Sequence, residues 1–172
     1  MVFVDVTVAG RALDVAVVNG DEALYRRIRE KLAKAPTAEI RDRFATLLTQ
    51  FRDPKLIAET IDYTYSNAVR TQDLPRLIGR LFTNPEGRQA AWTAVTERFS
   101  QIQRTIPTAM HNITGALGGF CDPEAKKAIE AFFAKTPPTE GMRNLKRSLE
   151  SIESCIAFRN AQEPSLQHAL MK

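Results

Sequence analysis

Apolar residues recur every three or four positions along most of the chain, which is the spacing of one face of an α-helix. The longest stripes comprise Trp92, Val95, Phe99, Ile102 and Ile106, and Met142, Leu145, Leu149, Ile152 and Ile156. The pattern predicts helices at 10–19, 22–35, 38–51, 54–66, 72–83, 86–104, 108–117, 123–134, 140–160 and 164–170. Each predicted helix would bury its apolar face and expose its charged face to water.

Prolines preceded by a polar residue mark several of these helix starts. The pairs are Asp53-Pro54, Asn84-Pro85, Asp122-Pro123 and, as a weaker case, Glu163-Pro164. An Asp or Asn side chain can cap a helix N-terminus, and proline fits the first helical position. The starts lie 31, 38 and 41 residues apart, near the ~40–47 residues of HEAT and armadillo repeats. The sequence therefore predicts one all-α domain, an α-solenoid of antiparallel helix pairs.

The N-terminal segment has a different pattern. Valines alternate with other residues over positions 2–8, with a period of two. This alternation fits a short β-strand or a disordered segment. Residues 1–9 are left unplaced, and the helical domain is predicted to span residues 10–172.

The composition is that of an ordinary soluble globular protein, with 44% hydrophobic and 26% charged residues. Two cysteines, Cys121 and Cys155, imply no disulfide framework, so we expect small core residues in a reducing compartment. The chain shows no secretory signal and no run of about 20 apolar residues that could span a bilayer. These features predict a cytoplasmic protein without membrane contact.

The chain carries a net charge of +4 and a dense basic stretch at residues 26–34. On a helix these side chains spread around the polar arc, which favours a solvated face over a patch that meets an acidic partner. No nucleic-acid-binding motif with interleaved aromatic residues accompanies the charge. We therefore predict no nucleic-acid partner.

Candidate catalytic chemistry is sparse. The two histidines, His111 and His168, lack the i, i+4 spacing of a helical zinc site, and the spacing to the cysteines disfavours a Cys2His2 site. No Gly-x-Ser-x-Gly turn is present to expose a nucleophilic serine. The glycines at 115, 118 and 119 match no phosphate-binding motif and are interpreted as helix termination in the left-handed conformation. No catalytic residue and no metal site is predicted.

Six local strings nevertheless follow a known order and spacing. They are VNGDEALY at 18–25, QFRDPKL at 50–56, VRTQD at 69–73, NPEGRQAAW at 84–92, FCD at 120–122 and EAFFA at 130–134. In this order they resemble the C-terminal helical domain of the large zinc aminopeptidases. That family includes aminopeptidase N, puromycin-sensitive aminopeptidase and the endoplasmic reticulum aminopeptidases. The resemblance covers about residue 10 to the C-terminus.

The resemblance implies a role without catalysis for this chain. Family members remove single residues from peptide N-termini with a zinc site built on His-Glu-x-x-His and a Gly-x-Met-x-Asn substrate motif, and this sequence holds neither motif. The implied role is that of the C-terminal domain, which closes over the catalytic domain, bounds the peptide chamber and helps to select peptide length. The implied partners are that catalytic domain and peptide substrates, with zinc in the parent enzyme alone. The alternative is a free-standing helical-repeat module that binds a protein or peptide.

Three polar residues are the candidates for contact with a peptide: Arg70, Gln72 and Asp73. A fork of guanidinium N–H groups suits a peptide backbone or carboxylate. The structural interpretation, which we favour, is that Thr71 caps a helix while Arg70 pairs with Asp73.

Further residues are assigned to architecture. We predict that Asn84 caps a helix and that Gly87 permits close approach of two helices. Trp92 is predicted to be the first residue of the buried apolar stripe that ends at Ile106. Where the family tends to have tryptophan, this chain has Phe99 and Phe158, which we expect in the core. Because the chain begins partway through the family's domain, we also expect self-association through residues 2–8 and 15–18.

Overall fold

The computed structural model describes residues 6–171, and all the longer regular elements in that range are α-helices. They are α1 (Val6–Val18), α2 (Glu22–Ala33), α3 (Ala38–Leu48), α4 (Pro54–Thr64), α5 (Leu74–Thr83), α6 (Arg88–Thr105), α7 (Ala109–Ala116), α8 (Pro123–Lys135) and α9 (Met142–Leu170). Short 3-10 turns occupy Thr71–Asp73 and Leu117–Gly119. The all-α prediction is confirmed, whereas the solenoid arrangement stays a prediction.

The chain forms two compact units, Met1–Glu97 and Arg98–Lys172, and the boundary falls within α6. Over residues 6–8 the predicted strand is wrong, because these residues belong to α1. The remainder of that prediction, residues 2–5, lies outside the described part of the chain. Between residues 6 and 171, no helix is long and apolar enough to cross a bilayer.

Aspartate caps fix two of the predicted helix starts. The Asp53 carboxylate accepts hydrogen bonds from the backbone N–H groups of Lys55 and Leu56, at 2.9 and 3.1 Å. The Asp122 carboxylate accepts one from the backbone N–H of Ala125, at 2.8 Å. Each contact satisfies N–H groups that the first helical turn leaves unpaired. The predicted starts at 54 and 123 are therefore confirmed.

The predicted helix start at Pro164 is wrong, because α9 continues through this proline to Leu170. Proline removes one N–H donor from a helix interior, which would leave the carbonyl four residues earlier without its partner. Residues 157–171 are exposed, so water can bond to that carbonyl. The cap-like Glu163-Pro164 pair therefore does not mark a boundary.

Tyr25 belongs to the hydrophobic core of unit 1. Its ring meets Phe51 edge-on, with 5.2 Å between the ring centroids, and both side chains are fully buried. The Tyr25 hydroxyl bonds to the hydroxyl of Thr60 at 3.1 Å. The Thr60 hydroxyl in turn lies 2.8 Å from the Leu56 carbonyl, to which it donates. Burial of the phenol raises the pKa of Tyr25.

In unit 2, three phenylalanines pack edge to face. The centroid of Phe99 lies 5.2 Å from that of Phe132 and 5.6 Å from that of Phe133. Phe99 is 1% exposed, as predicted, but Phe158 is 69% exposed, so its predicted core position is wrong. The reason is that α9 makes its last fully buried contact at Ile152, six residues earlier.

A second element of unit 2 is the turn into α9. Gly141 has a φ of +82°, the left-handed conformation that favours glycine. A Cβ atom there would lie 2.7 Å from the hydroxyl oxygen of Thr114 and 2.8 Å from the carbonyl oxygen of Met110. The Thr114 hydroxyl donates to the Gly141 carbonyl at 3.0 Å. Among the glycines of the described range this is the one with positive φ, so the left-handed terminus predicted at residues 115–119 is wrong.

Cys121 and Cys155 form a disulfide bond, with 5.4 Å between their Cα atoms. The expectation of two unpaired core cysteines is therefore wrong, and both residues are only half-buried. Cys121 directly precedes the cap of α8, and Cys155 lies on α9, so packing of these two helices brings together residues 34 positions apart. The number of cysteines consequently gives no support for a reducing compartment.

Candidate functional site

The predicted cluster of Arg70, Gln72 and Asp73 lies on the 3-10 turn between α4 and α5. The Arg70 Nε donates to the Asp73 Oδ2 at 2.7 Å, so the expected ion pair is present. Asp73 raises the pKa of Arg70 through this bond. Thr71 lies inside the turn and caps neither it nor α5. Gln72 is exposed and has no hydrogen-bond partner among the residues that the structure describes.

A second ion pair lies beside this cluster. Arg76 on α5 bonds to Asp42 on α3 through Nη2, and its Nη1 donates to the Thr46 hydroxyl at 2.6 Å. Both ion pairs line one small pocket together with Arg41. The two arginines of these pairs therefore have part of their donor capacity occupied by protein acceptors.

Unit 1 also contains a larger open groove, of about 840 Å³. It runs along α2 and α4 and is bordered by the start of α3 and the turn after α4. Its lining comprises Arg26, Arg29, Glu30, Leu32, Ala33, Arg41, Glu59, Asp62, Tyr63, Ser66 and Ala68. No local sequence pattern predicts this groove, because the residues of α2 and α4 that line it lie about 34 positions apart.

At the edge of the groove, Arg26 bonds to two carboxylates. It lies 2.8 Å from Glu22 and 2.5 Å from Glu59, and Glu22 also accepts from Lys55 at 3.0 Å. The Arg26 hydrogen bonds lower the pKa of both glutamates. These four residues form a closed charge network that leaves Arg26 and Glu59 little capacity for a ligand.

Arg29 has a different environment. Its guanidinium carbon lies 4.5 Å from the ring centroid of Tyr63, the geometry of a cation–π contact. Its Nη1 is buried and has no hydrogen-bond partner in the described part of the chain. Burial raises the pKa of Tyr63, whereas the positive charges of Arg29 and Arg41 oppose that rise. Among the described residues that line this groove, Arg29 is the one with a buried side-chain donor that lacks an acceptor.

The residues assigned to architecture lie around the end of α5. Asn84 is 6% exposed, and its amide nitrogen donates to the carbonyls of Thr49 and Phe51 at 3.0 and 2.7 Å. Its amide oxygen accepts from the Glu86 backbone N–H at 3.1 Å. A Cβ at Gly87 would meet Asn84 itself at 3.4 Å rather than another helix.

Trp92, on α6, is 5% exposed. It is the single tryptophan of the chain and lies in unit 1.

Metal-binding geometry is not found in the described residues, where no three His, Cys, Asp or Glu side chains converge. The two cysteines bond to each other, so they cannot serve in a Cys2His2 site. His111 instead lies 3.2 Å from the Glu140 carboxylate.

The family model described as "ERAP1-like C-terminal domain" matches residues 3–154. The chain belongs to this family. Aminopeptidase M1 of Arabidopsis thaliana is 26% identical over 149 residues, which cover 83% of this chain and 17% of that protein. Probable aminopeptidase 1 of Saccharolobus solfataricus is 23% identical over 83% of this chain and 18% of its own length.

Endoplasmic reticulum aminopeptidase 1 of Rattus norvegicus is 22% identical over 90% of this chain and 17% of its own length. The chain thus spans less than a fifth of the length of each of these three relatives. The name of one relative includes "endoplasmic reticulum", and the name of another includes "mitochondrial". Membership of the family therefore does not assign a compartment, and the cytoplasmic location stays a prediction.

Proposed function

We propose that this chain is the C-terminal domain of a zinc-dependent aminopeptidase and bounds the peptide chamber over the catalytic domain. The observation that carries the proposal is the family match, which covers most of the chain, together with relatives that are named aminopeptidases and extend far beyond the matched fifth. Zinc and the catalytic residues would belong to the part of the enzyme outside this chain. The partners of the domain would be that catalytic part and the peptide within the chamber.

Within this domain we propose that Arg70, Gln72 and Asp73 face the peptide. Gln72 supports this role because its amide is exposed and offers both donors and acceptors to a peptide backbone. Arg70 uses its Nε for Asp73, and the other N–H groups of its guanidinium can still donate. Asp73 then fixes the direction of that guanidinium.

The first test is the mass of the native gene product. An antibody raised against this chain would be used to probe an extract of the source cells. The proposal predicts a band far above 19.3 kDa, the mass of this chain. A band at 19.3 kDa would refute the chamber role and favour a free-standing module that binds a protein or peptide.

The second test uses the full-length enzyme with Gln72→Ala. If Gln72 contacts the peptide backbone, KM for an eight-residue peptide should rise several-fold while turnover of a single aminoacyl fluorophore stays unchanged. Gln89→Ala is the matched control, because Gln89 is an exposed glutamine on α6 outside the cluster. Equal behaviour of the two variants toward the peptide would contradict the assignment of Gln72.

A further inference from the structure

Arg29 presents an unsatisfied donor to the unit 1 groove. The guanidinium contacts the face of the Tyr63 ring, and its Nη1 has no acceptor among the described residues. A charged donor without a partner carries a desolvation cost. Nη1 itself has almost no accessible surface, so a ligand acceptor would meet the rest of the Arg29 guanidinium, which lines the groove and forms no ion pair with the described residues.

The neighbouring charges indicate which acceptor fits. Glu59 and Glu22 are bonded to Arg26, so neither is available to Arg29. Arg41 also lines the groove and forms no ion pair with any residue in the range 6–171. A carboxylate placed between the two arginines would meet two positive charges and a planar donor fork.

Two acidic residues at the groove limit the choice further. Glu30 and Asp62 line it and likewise have no ion-pair partner among the described residues. They would repel a phosphate or a dense acidic stretch, and they would attract the cationic groups of a ligand that also carries a carboxylate. An internal acidic residue of a peptide has neighbours on both sides, whereas a C-terminal carboxylate has them on one side only.

We propose that this groove binds a peptide segment through one Glu or Asp side chain flanked by basic residues, with Arg29 as the principal donor. Arg70, Gln72 and Asp73 do not line the groove, so this is a second site. It goes beyond the chamber role, because it requires neither zinc nor the catalytic part of an enzyme. The occupant is a segment of another protein with this charge pattern.

The test titrates the whole chain with the peptide acetyl-Lys-Ala-Glu-Ala-Lys-amide at low ionic strength. Binding would be followed by calorimetry and by the 15N resonances of the arginine side chains. We expect saturable binding that shifts the Arg29 resonances. Replacing Glu by Gln in the peptide should weaken binding at least tenfold, because it removes a charge-assisted hydrogen bond and leaves the protein unchanged.

Variants of the protein then assign the contact to Arg29. Arg29→Gln should weaken binding at least tenfold, while Arg27→Gln should leave it within twofold, because Arg27 is on the same helix but does not line the groove. Tyr63→Phe keeps the ring and should keep the affinity, whereas Tyr63→Leu should lower it. Circular dichroism of each variant checks that the helices are intact.

Several outcomes would overturn the proposal. They are the absence of saturation, equal binding of the Glu and Gln peptides, and equal losses in Arg29→Gln and Arg27→Gln, which would indicate non-specific charge attraction. The peptide acetyl-Lys-Ala-Ala-Ala-Lys, whose sole carboxylate is its C-terminus, should bind more weakly than the Glu peptide. Tighter binding of this peptide would replace the proposed ligand by a chain terminus.

Discussion

Asn84 connects the end of α5 to the turn after α3, and its removal should destabilise unit 1. The side chain is buried and bonds to three backbone groups: its amide nitrogen donates to the carbonyls of Thr49 and Phe51, and its oxygen accepts from the Glu86 N–H. Asn84→Ala removes all three bonds. The carbonyls of two buried residues then lose a donor.

The expected loss follows from the number of bonds. A typical intramolecular hydrogen bond contributes about 0.5–1.5 kcal/mol net, and a buried group left unsatisfied costs about 1–3 kcal/mol. For three bonds, of which one is to a partly exposed N–H, we expect a loss of about 2–4 kcal/mol. At roughly 2–4 °C per kcal/mol for a chain of this size, the melting temperature should fall by about 4–16 °C.

The assay is urea unfolding followed by tryptophan fluorescence. Trp92 is the single tryptophan, is buried and belongs to unit 1, so its emission reports on the unit that contains Asn84. The matched control is Asn67→Ala, at an exposed asparagine of the same unit. That variant should stay within about 0.5 kcal/mol of the parent protein.

Asn84→Asp separates the donor role of Asn84 from its shape. The introduced carboxylate keeps the acceptor for Glu86 but turns an oxygen toward the carbonyls of Thr49 and Phe51, so at neutral pH it should destabilise at least as much as alanine. Burial against two carbonyls should raise the pKa of the introduced carboxyl above its unfolded value of about 3.9. The penalty is present above the folded pKa and should diminish as pH falls through it. An Asn84→Ala variant as stable as the Asn67→Ala control would refute this reasoning.

Three further predictions concern other parts of the chain. Gly141→Ala should lower the stability of unit 2 by about 2 kcal/mol or more, because Gly141 has a positive φ and other atoms occupy the place of a Cβ. The control Gly115→Ala should be neutral or stabilising, since the nearest atom to its Cβ would be 3.7 Å away. Thermal melting followed by circular dichroism compares the two variants. Cys155→Ser opens a loop of 34 residues and should cost unit 2 about 3–4 kcal/mol in the same assay, and an unchanged melting curve would contradict it. Arg26→Gln should raise the pKa of Glu59 toward 4.5, which an NMR titration would measure. The ion pair stabilises the fold above about pH 4.5 and is lost as the pH falls below it, so the parent protein should lose more stability than the variant over that range. Equal losses of stability would argue against the ion pair.

The features that the sequence predicted well are local. Asp53 bonds to N–H groups two and three residues away, so its cap could be recognised from the order of residues alone. Apolar spacing located most helices to within a few residues for the same reason. Pro164 looked like a local signal but failed, because its effect depends on the exposure of the surrounding helix.

The features that were missed depend on which helices pack together. Cys121 and Cys155 are unremarkable as sequence positions and bond only because α8 and α9 are adjacent. Arg29 looked like one charge on a solvated helix face, and its contact with Tyr63 requires α4 to lie beside α2. No periodicity within one helix contains that information.

A longer regularity connects these pairs. Tyr25 bonds to Thr60 at a separation of 35 residues, Asn84 to Thr49 at 35, and Ser148 to Thr114 at 34, and the disulfide joins residues 34 apart. The same interval occurs within each unit, and it is close to the spacing of 31–41 residues between the proline-marked positions. An antiparallel helix pair with its turns has about this length, which is the interval that the predicted solenoid of helix pairs would produce. This interval therefore relates partners that neither residue reveals alone, and it is shared by the disulfide and by the contact of Arg29 with Tyr63.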